Sequence, residues 1–192
     1  MSRVMVSEFL TLDGVMQAPG GSDEDREGEF QHGGWQMSYF DDAAGEVVSQ
    51  GFQSAGGLLL GRKTYEIFAA YWPNQDEPFA AQINEMPKYV ASTTLEEPLE
   101  WNNSSLLKGD VAEEVARLKA QPGKDLLVIG SGRLAQTLMR HDLVDEYQLM
   151  IHPIVVGGGK RLFGGEGVKT PLKLVDSKTS STGVLIVTYR NA

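Results

Sequence analysis

The 192 residues contain no cysteine. That excludes disulfides, thiolate-bound metals and a cysteine nucleophile. Histidine is scarce: His32, His141 and His152 are the only three. They show no ligand spacing, so no metal site is expected, and no Ser-His-Asp pattern stands out. Cations are outnumbered, 17 Lys and Arg against 26 Asp and Glu, for a formal charge of −9. So acidic a surface repels nucleic-acid phosphates and anionic membranes, and neither is an expected partner. An anionic small molecule can still bind where a few basic residues are locally placed. No apolar run approaches the ~20 residues of a membrane span. The opening Met-Ser-Arg-Val-Met-Val lacks a signal-peptide core. A soluble cytoplasmic protein is expected. With no repeat, linker or break in composition, a single domain over 1–192 is expected, large enough for a well-packed core.

The chain alternates strand and helix patterns. Val4 to Leu12 is β-prone and apolar except for Glu8, and Asp13-Gly14 ends it with turn chemistry. Residues 17–34 are polar, acidic and Gly-rich without periodicity, as in a lid or a mobile loop. From Asp41 a helical pattern sets Ala44, Val47, Val48 and Phe52 on one face, with Asp41 or Asp42 as its cap and Gly56-Gly57 as its stop. Leu58 to Leu60 reads as a buried strand, followed by a helix from Arg62. Further along come a short helix over Phe79 to Met86, strands over Lys88 to Ala91 and Ser104 to Leu107, and an amphipathic helix from Asp110 to Ala120. Asp125 to Ile129 is an apolar run that stops at Gly130-Ser-Gly132, and Leu134, Ala135, Leu138 and Met139 give the next helix its buried face. Asp145 to Val156 is β-prone but interrupted by Pro153. Leu172 to Thr179 and Val184 to Tyr189 form a hairpin. The sum is an α/β fold with a mainly parallel sheet and an antiparallel edge.

Three strand ends carry chemistry suited to phosphate. Gly130, Ser131, Gly132, Arg133, Leu134 and Ala135 match G-x-G-x-x-A, which lets a pyrophosphate approach backbone amides at a helix start. A plain strand-to-helix turn would use the same residues. The Rossmann context is missing, since the motif comes late and Asp145 and Glu146 begin the next strand, out of reach of a ribose. Gly61, Arg62, Lys63 and Thr64 offer two cations and a hydroxyl at a helix entry. Ser92 and Thr93, with Thr94, can donate to a 2′-phosphate. Read alone, these are a solvated helix entry and a hydrophilic turn. Taken together they fall where open α/β sheets gather ligands. Asp13 and Gly14 lie on the same rim, as substrate contacts or as a structural turn. Asp42, with Asp41 and Glu46, lies on a helix that can flank the pocket, where a buried carboxyl could donate a proton or anchor substrate.

Leu10-Thr-Leu-Asp-Gly14, Leu58-Leu-Leu-Gly-Arg-Lys-Thr-Tyr-Glu66, Val90-Ala-Ser-Thr93, Val128-Ile-Gly-Ser-Gly132, and Val144-Asp-Glu-Tyr147 through Pro153 to Leu162-Phe163 follow a familiar order and spacing. In them the chain resembles the dihydrofolate-reductase-like superfamily. Within it, the resemblance is to the C-terminal reductase domain of the bifunctional riboflavin-biosynthesis deaminase–reductase. The resemblance implies a three-layer α/β fold with a central mixed, mainly parallel sheet of about eight strands, flanking helices and a C-terminal antiparallel hairpin. It implies that Gly61 to Thr64, Ser92 and Thr93 hold the 2′-phosphate side of NADPH. Gly130 to Leu134 would hold the pyrophosphate. Asp13 and Gly14 would lie beside nicotinamide and substrate, and the chain would form a homodimer. The deaminase half and its His and Cys zinc motif have no counterpart here, so a stand-alone reductase domain is expected. The loop after Gly14 lacks the folate enzymes' Pro-Trp-like pattern, and Met150 stands where they carry a substrate-side Thr.

The expected activity is therefore NADPH-dependent reduction of a small molecule entering between the 17–34 loop and the Asp41 helix. The first substrate expectation is the ribosylaminopyrimidine of riboflavin synthesis, and a pterin or folate is second. The alternatives are a nucleotide-binding regulatory protein without turnover, or flavin in the same cleft.

Overall fold

A computed structural model describes residues 2–164 and 169–192. Eight strands form one sheet in the order β4-β3-β2-β5-β1-β6-β8-β7. The strands are β1 (Val4–Thr11), β2 (Ala55–Gly61), β3 (Lys88–Ala91), β4 (Ser104–Leu106), β5 (Asp125–Ile129), β6 (Glu146–His152), β7 (Leu172–Thr179) and β8 (Leu185–Asn191). All pairs from β4 to β6 are parallel, and only β6–β8 and β8–β7 are antiparallel. The parallel strands are covered on both faces, which is why Leu58 to Leu60 read as an unbroken apolar run and β1 as one interrupted only at Ser7 and Glu8. Each of those leucines is fully buried, worth about 1.5–3 kcal/mol against exposure.

Helices α1 (Asp42–Ser54), α2 (Arg62–Tyr71) and α3 (Pro78–Glu85) cover one face. There Phe52, Tyr65 and Ile83 pack on Leu58, Leu60 and Val90. Helices α4 (Val111–Ala120) and α5 (Gly132–Arg140) cover the other. There Val115, Ala135 and Leu138 meet Val4, Val6, Leu59 and Val128. Caps fix the helix starts: Asp41 accepts from the Ala44 N–H and Asp110 from the Glu113 N–H.

Several boundaries differ from the sequence reading. Gly56 and Gly57 do not stop α1 but lie inside β2. A side chain at Gly57 would come within 2.9 Å of the Tyr89 ring, so these glycines serve close strand approach. Strand β1 ends at Thr11 and β6 at His152, because Pro153 breaks the ladder and the Ile154 N–H turns back to the His152 carbonyl. The 17–34 loop is held over the sheet edge. Trp35 Nε1 donates to the Gln17 carbonyl, and Gln17 Nε2 donates to the Asp25 and Glu27 carbonyls.

Candidate active site

Parallel pairing brings the carboxyl ends of β1, β2, β3 and β5 to one edge of the sheet. A cleft of about 2150 Å³ opens there. That exceeds the usual ~300–1,000 Å³ of a single small-ligand pocket. Its walls are Gly61 to Thr64 after β2, Ser92 and Thr93 after β3, and Gly130 to Leu134 after β5. The structure thus gathers all three phosphate-compatible strand ends into one cavity. The 17–34 loop roofs it and Val48 and Phe52 of α1 line the far side.

The β5–α5 junction is tightly packed against the Thr64 and Met16 side chains. Gly130 and Ser131 both take left-handed conformations, φ 57° and 56°. A Cβ on Gly130 would lie 2.9 Å from Thr64 Oγ1, and one on Gly132 would lie 2.6 Å from Met16 Sδ. Ser131 locks the two junctions together: its N–H donates to Thr64 Oγ1, and its Oγ accepts from the Gly61 N–H. Thr64 and Ser131 are therefore committed to joining β2–α2 to β5–α5. The first helical bond of α5 runs from the Ala135 N–H to the Ser131 carbonyl. The Gly132, Arg133 and Leu134 amides precede it, at the positive end of the helix, with no side-chain cap. The two glycines let Thr64 and Met16 pack against the turn, and the uncapped helix start beside them fits a pyrophosphate.

The cations are arranged unequally. Arg133 is exposed on the cleft wall and makes no ion pair among the described residues. Among the described residues Arg62 has only a loose partner, Glu66, at 3.6 Å. Lys63 is held by the roof, 2.7 Å from Asp25 and 3.0 Å from Glu27, and Lys160 binds the same two carboxylates at 2.7 and 2.6 Å. Burial opposes ionisation of Asp25, yet Lys160 and Lys63 hold its pKa down at about 2. Ser92 Oγ accepts from the Thr94 and Leu95 amides, shaping its own turn, while Thr93 is exposed at the cleft.

Asp13, Gly14 and Asp42 are absent from the cleft walls. The Asp13 carboxylate accepts from the Thr11 hydroxyl and the Val156 and Gly157 amides and meets Arg161, an arrangement that holds it at about 2. Asp42 is an exposed first-turn residue of α1. Its neighbour Asp41 is kept at about 2 chiefly by the Ser181 hydroxyl and ties α1 to the C-terminal hairpin. Met150 is buried under α1 against Ala44, Val47 and Ile186. His152 Nδ1 faces the Leu10 and Met150 carbonyls and therefore carries the proton; burial lowers its pKa and the ring is a structural contact for Trp35 and Tyr39.

Sequence reasoning passed over Glu8. It lies in the cleft wall, 3 % exposed, with its Oε1 lacking any hydrogen-bond partner among the described residues. Burial pushes its pKa well above the ordinary 4.5, with the Gly130 amide acting weakly against that shift. The signal in the sequence was a lone charge within an apolar, doubly covered strand.

Comparison with known proteins places this geometry. Residues 2–186 match the family model described as the RibD C-terminal domain. The uncharacterised protein YyaP of Bacillus subtilis (strain 168) is 30% identical, over 97% of this chain and 94% of its own length. A protein of Shewanella sp. PV-4 that carries a riboflavin-biosynthesis designation shares 25% identity and superposes with a TM-score of 0.74, covering 99% of both chains. The diaminohydroxyphosphoribosylaminopyrimidine deaminase/5-amino-6-(5-phosphoribosylamino)uracil reductase of Thermotoga maritima is alike in fold. Its TM-score is 0.65 at 15% identity, over all of this chain and 57% of that one.

Proposed function

Because the chain belongs to the RibD C-terminal domain family, we propose that it is a reductase that takes NADPH into this cleft and reduces a small, polar heterocyclic substrate. The observation that carries the reading is the convergence of three strand ends on one cleft, with uncapped amides at α5 and basic Arg62, Lys63 and Arg133 around them. NADPH, when bound, supplies a hydride.

The chain's own residues divide the remaining work. The Gly132, Arg133 and Leu134 amides receive the pyrophosphate. Arg62 and Lys63, with Thr93, receive the 2′-phosphate. The loop over the cleft excludes water. The space between that loop and Val48 and Phe52 of α1 takes the substrate. A pyrimidine bearing a phosphoribosylamino group, as named for the Thermotoga relative, is the substrate class we favour, and a pterin is the competitor.

Loss of NADPH absorbance is the assay. 5-Amino-6-(5-phosphoribosylamino)uracil should be turned over, and dihydrofolate should not. Tight NADPH binding with no oxidation by either compound would instead assign the cleft to nucleotide sensing.

A further inference from the structure

Strands β1 and β5 pair from Val4–Leu126 to Ser7–Ile129 and no further. On its other side β1 keeps pairing with β6 as far as Thr11. The two strands therefore part at their next residues, Glu8 and Gly130, and both line the cleft. Alternation along β1 puts Glu8 on the side of Val6 and Leu10, the face covered by α5. It is the same side as the uncapped amides.

A buried carboxyl with an unpaired oxygen is costly unless a ligand completes it. Burial favours its protonated form, which offers an O–H donor and a carbonyl acceptor without charge. An ionised group at this spot would repel a pyrophosphate at Gly132 to Leu134. Three other acids of the cleft are already engaged. Asp25 and Glu27 are spent on the lysines, and Glu24 accepts from the Gly20 and Gly21 amides.

We propose that Glu8 reads the cofactor: its carboxyl hydrogen-bonds an uncharged polar group of the nicotinamide nucleoside half of NADPH, where β1 and β5 separate. This rests on the NADPH reading above. Two groups have the right chemistry, the carboxamide, which matches a carboxylic acid donor for acceptor, and the ribose hydroxyls. Glu8 is then a positioning residue that sets the nicotinamide's place in the gap.

Calorimetry with three probes tests it. 2′,5′-ADP reports the phosphate end alone, 2′-phospho-ADP-ribose adds the pyrophosphate and second ribose, and NADPH adds the ring. Glu8→Leu should weaken NADPH about tenfold and leave 2′,5′-ADP within about twofold. Glu8→Gln, which keeps an uncharged donor and acceptor, should return NADPH to within about threefold of wild type. If 2′-phospho-ADP-ribose weakens with NADPH, the ribose is the partner; if it is spared, the carboxamide is. Unchanged NADPH affinity in Glu8→Leu overturns the proposal, as does equal weakening of NADPH and 2′,5′-ADP, which marks a purely structural effect. If wild-type protein binds neither, the parent reading fails and this one with it. Infrared difference spectra need no Leu variant. The protonated-carboxyl band should shift when NADP⁺ is added, stay still with 2′,5′-ADP, and be missing in Glu8→Gln; a band indifferent to NADP⁺ overturns the assignment.

Discussion

Lys63 Nζ lies 2.7 Å from Asp25 Oδ1, so the roof of the cleft is fastened to the helix that begins at the Gly61–Thr64 wall. Lys160 is fastened to the same carboxylate. A phosphate arriving beside Arg62 competes with Asp25 and Glu27 for Lys63. The double variant Asp25→Asn, Glu27→Gln should bind 2′,5′-ADP about three- to tenfold more tightly, with a smaller gain at high salt. Titrations at two ionic strengths check this. Weaker binding would mean that the carboxylates serve the ligand.

Two acids of the cleft, Asp25 and Glu8, give opposite pH signatures. Asp25 has a folded pKa of about 2, below its ordinary 3.8. Its pairing stabilises the fold above pH 3.8 and is lost as pH falls toward 2. The Glu8 pKa lies above 4.5, so the folded chain keeps a proton that the unfolded chain gives up. That cost is absent below about pH 4.5 and grows as pH rises. Glu8→Gln should therefore melt above wild type at about pH 8 and lose this advantage by about pH 4. A difference that does not vary with pH counts against a protonated Glu8.

Gly130→Ala combines left-handed strain with a 2.9 Å approach to Thr64 Oγ1. It should lower stability by about 1–3 kcal/mol and loosen the Ser131–Thr64 link. Urea unfolding measures the first, and 2′-phospho-ADP-ribose binding the second. Unchanged values in both would show that the junction has slack.

Lys88 is wholly buried, its Nζ 2.5 Å from the Asn84 carbonyl, 2.9 Å from the Asn102 carbonyl and 4.2 Å from the centre of the Trp101 ring. Burial lowers its pKa to about 8. Lys88→Met strands two carbonyls and should cost about 2 kcal/mol or more. It sits at the end of β3 away from the cleft, so 2′,5′-ADP affinity of the folded variant should not move. A melt and a titration on one sample separate the two effects.

Strand β7 is an edge, and Leu174, Val175 and Leu185 of the hairpin are nearly half exposed. An apolar edge of this kind invites a second copy. We expect a homodimer, to be dissociated by Val175→Glu in sedimentation velocity. A monomeric wild type refutes it.

The helices were legible because their signals are local: Asp41 and Asp110 cap runs whose apolar residues recur at helical spacing. Strand order was not, since the insertion of β5 between β2 and β1 depends on contacts far apart in sequence. The cleft walls at 61–64, 92–93 and 130–134 could be read from strand ends. Asp13 could not be placed, because the amides and the arginine that claim it lie more than 140 residues onward. Ser131 and Thr64 looked like ligand contacts because nothing in the sequence says they bond each other. Glu8 needed the parting of β1 from β5 to acquire meaning.

At the opposite edge of the sheet, Arg3 bonds both Asp125 and Glu146, and Glu146 also takes Arg190. The strands are laced at their roots, like stems in a tie, while the tips of β1 and β5 stand apart. Substitutions among exposed tip side chains such as Arg62, Thr93 and Arg133, unlike one at Gly130, can thus alter what the protein accepts without loosening the bundle beneath. A chemist wishing to retarget it should leave the lacing alone and redesign only the crown.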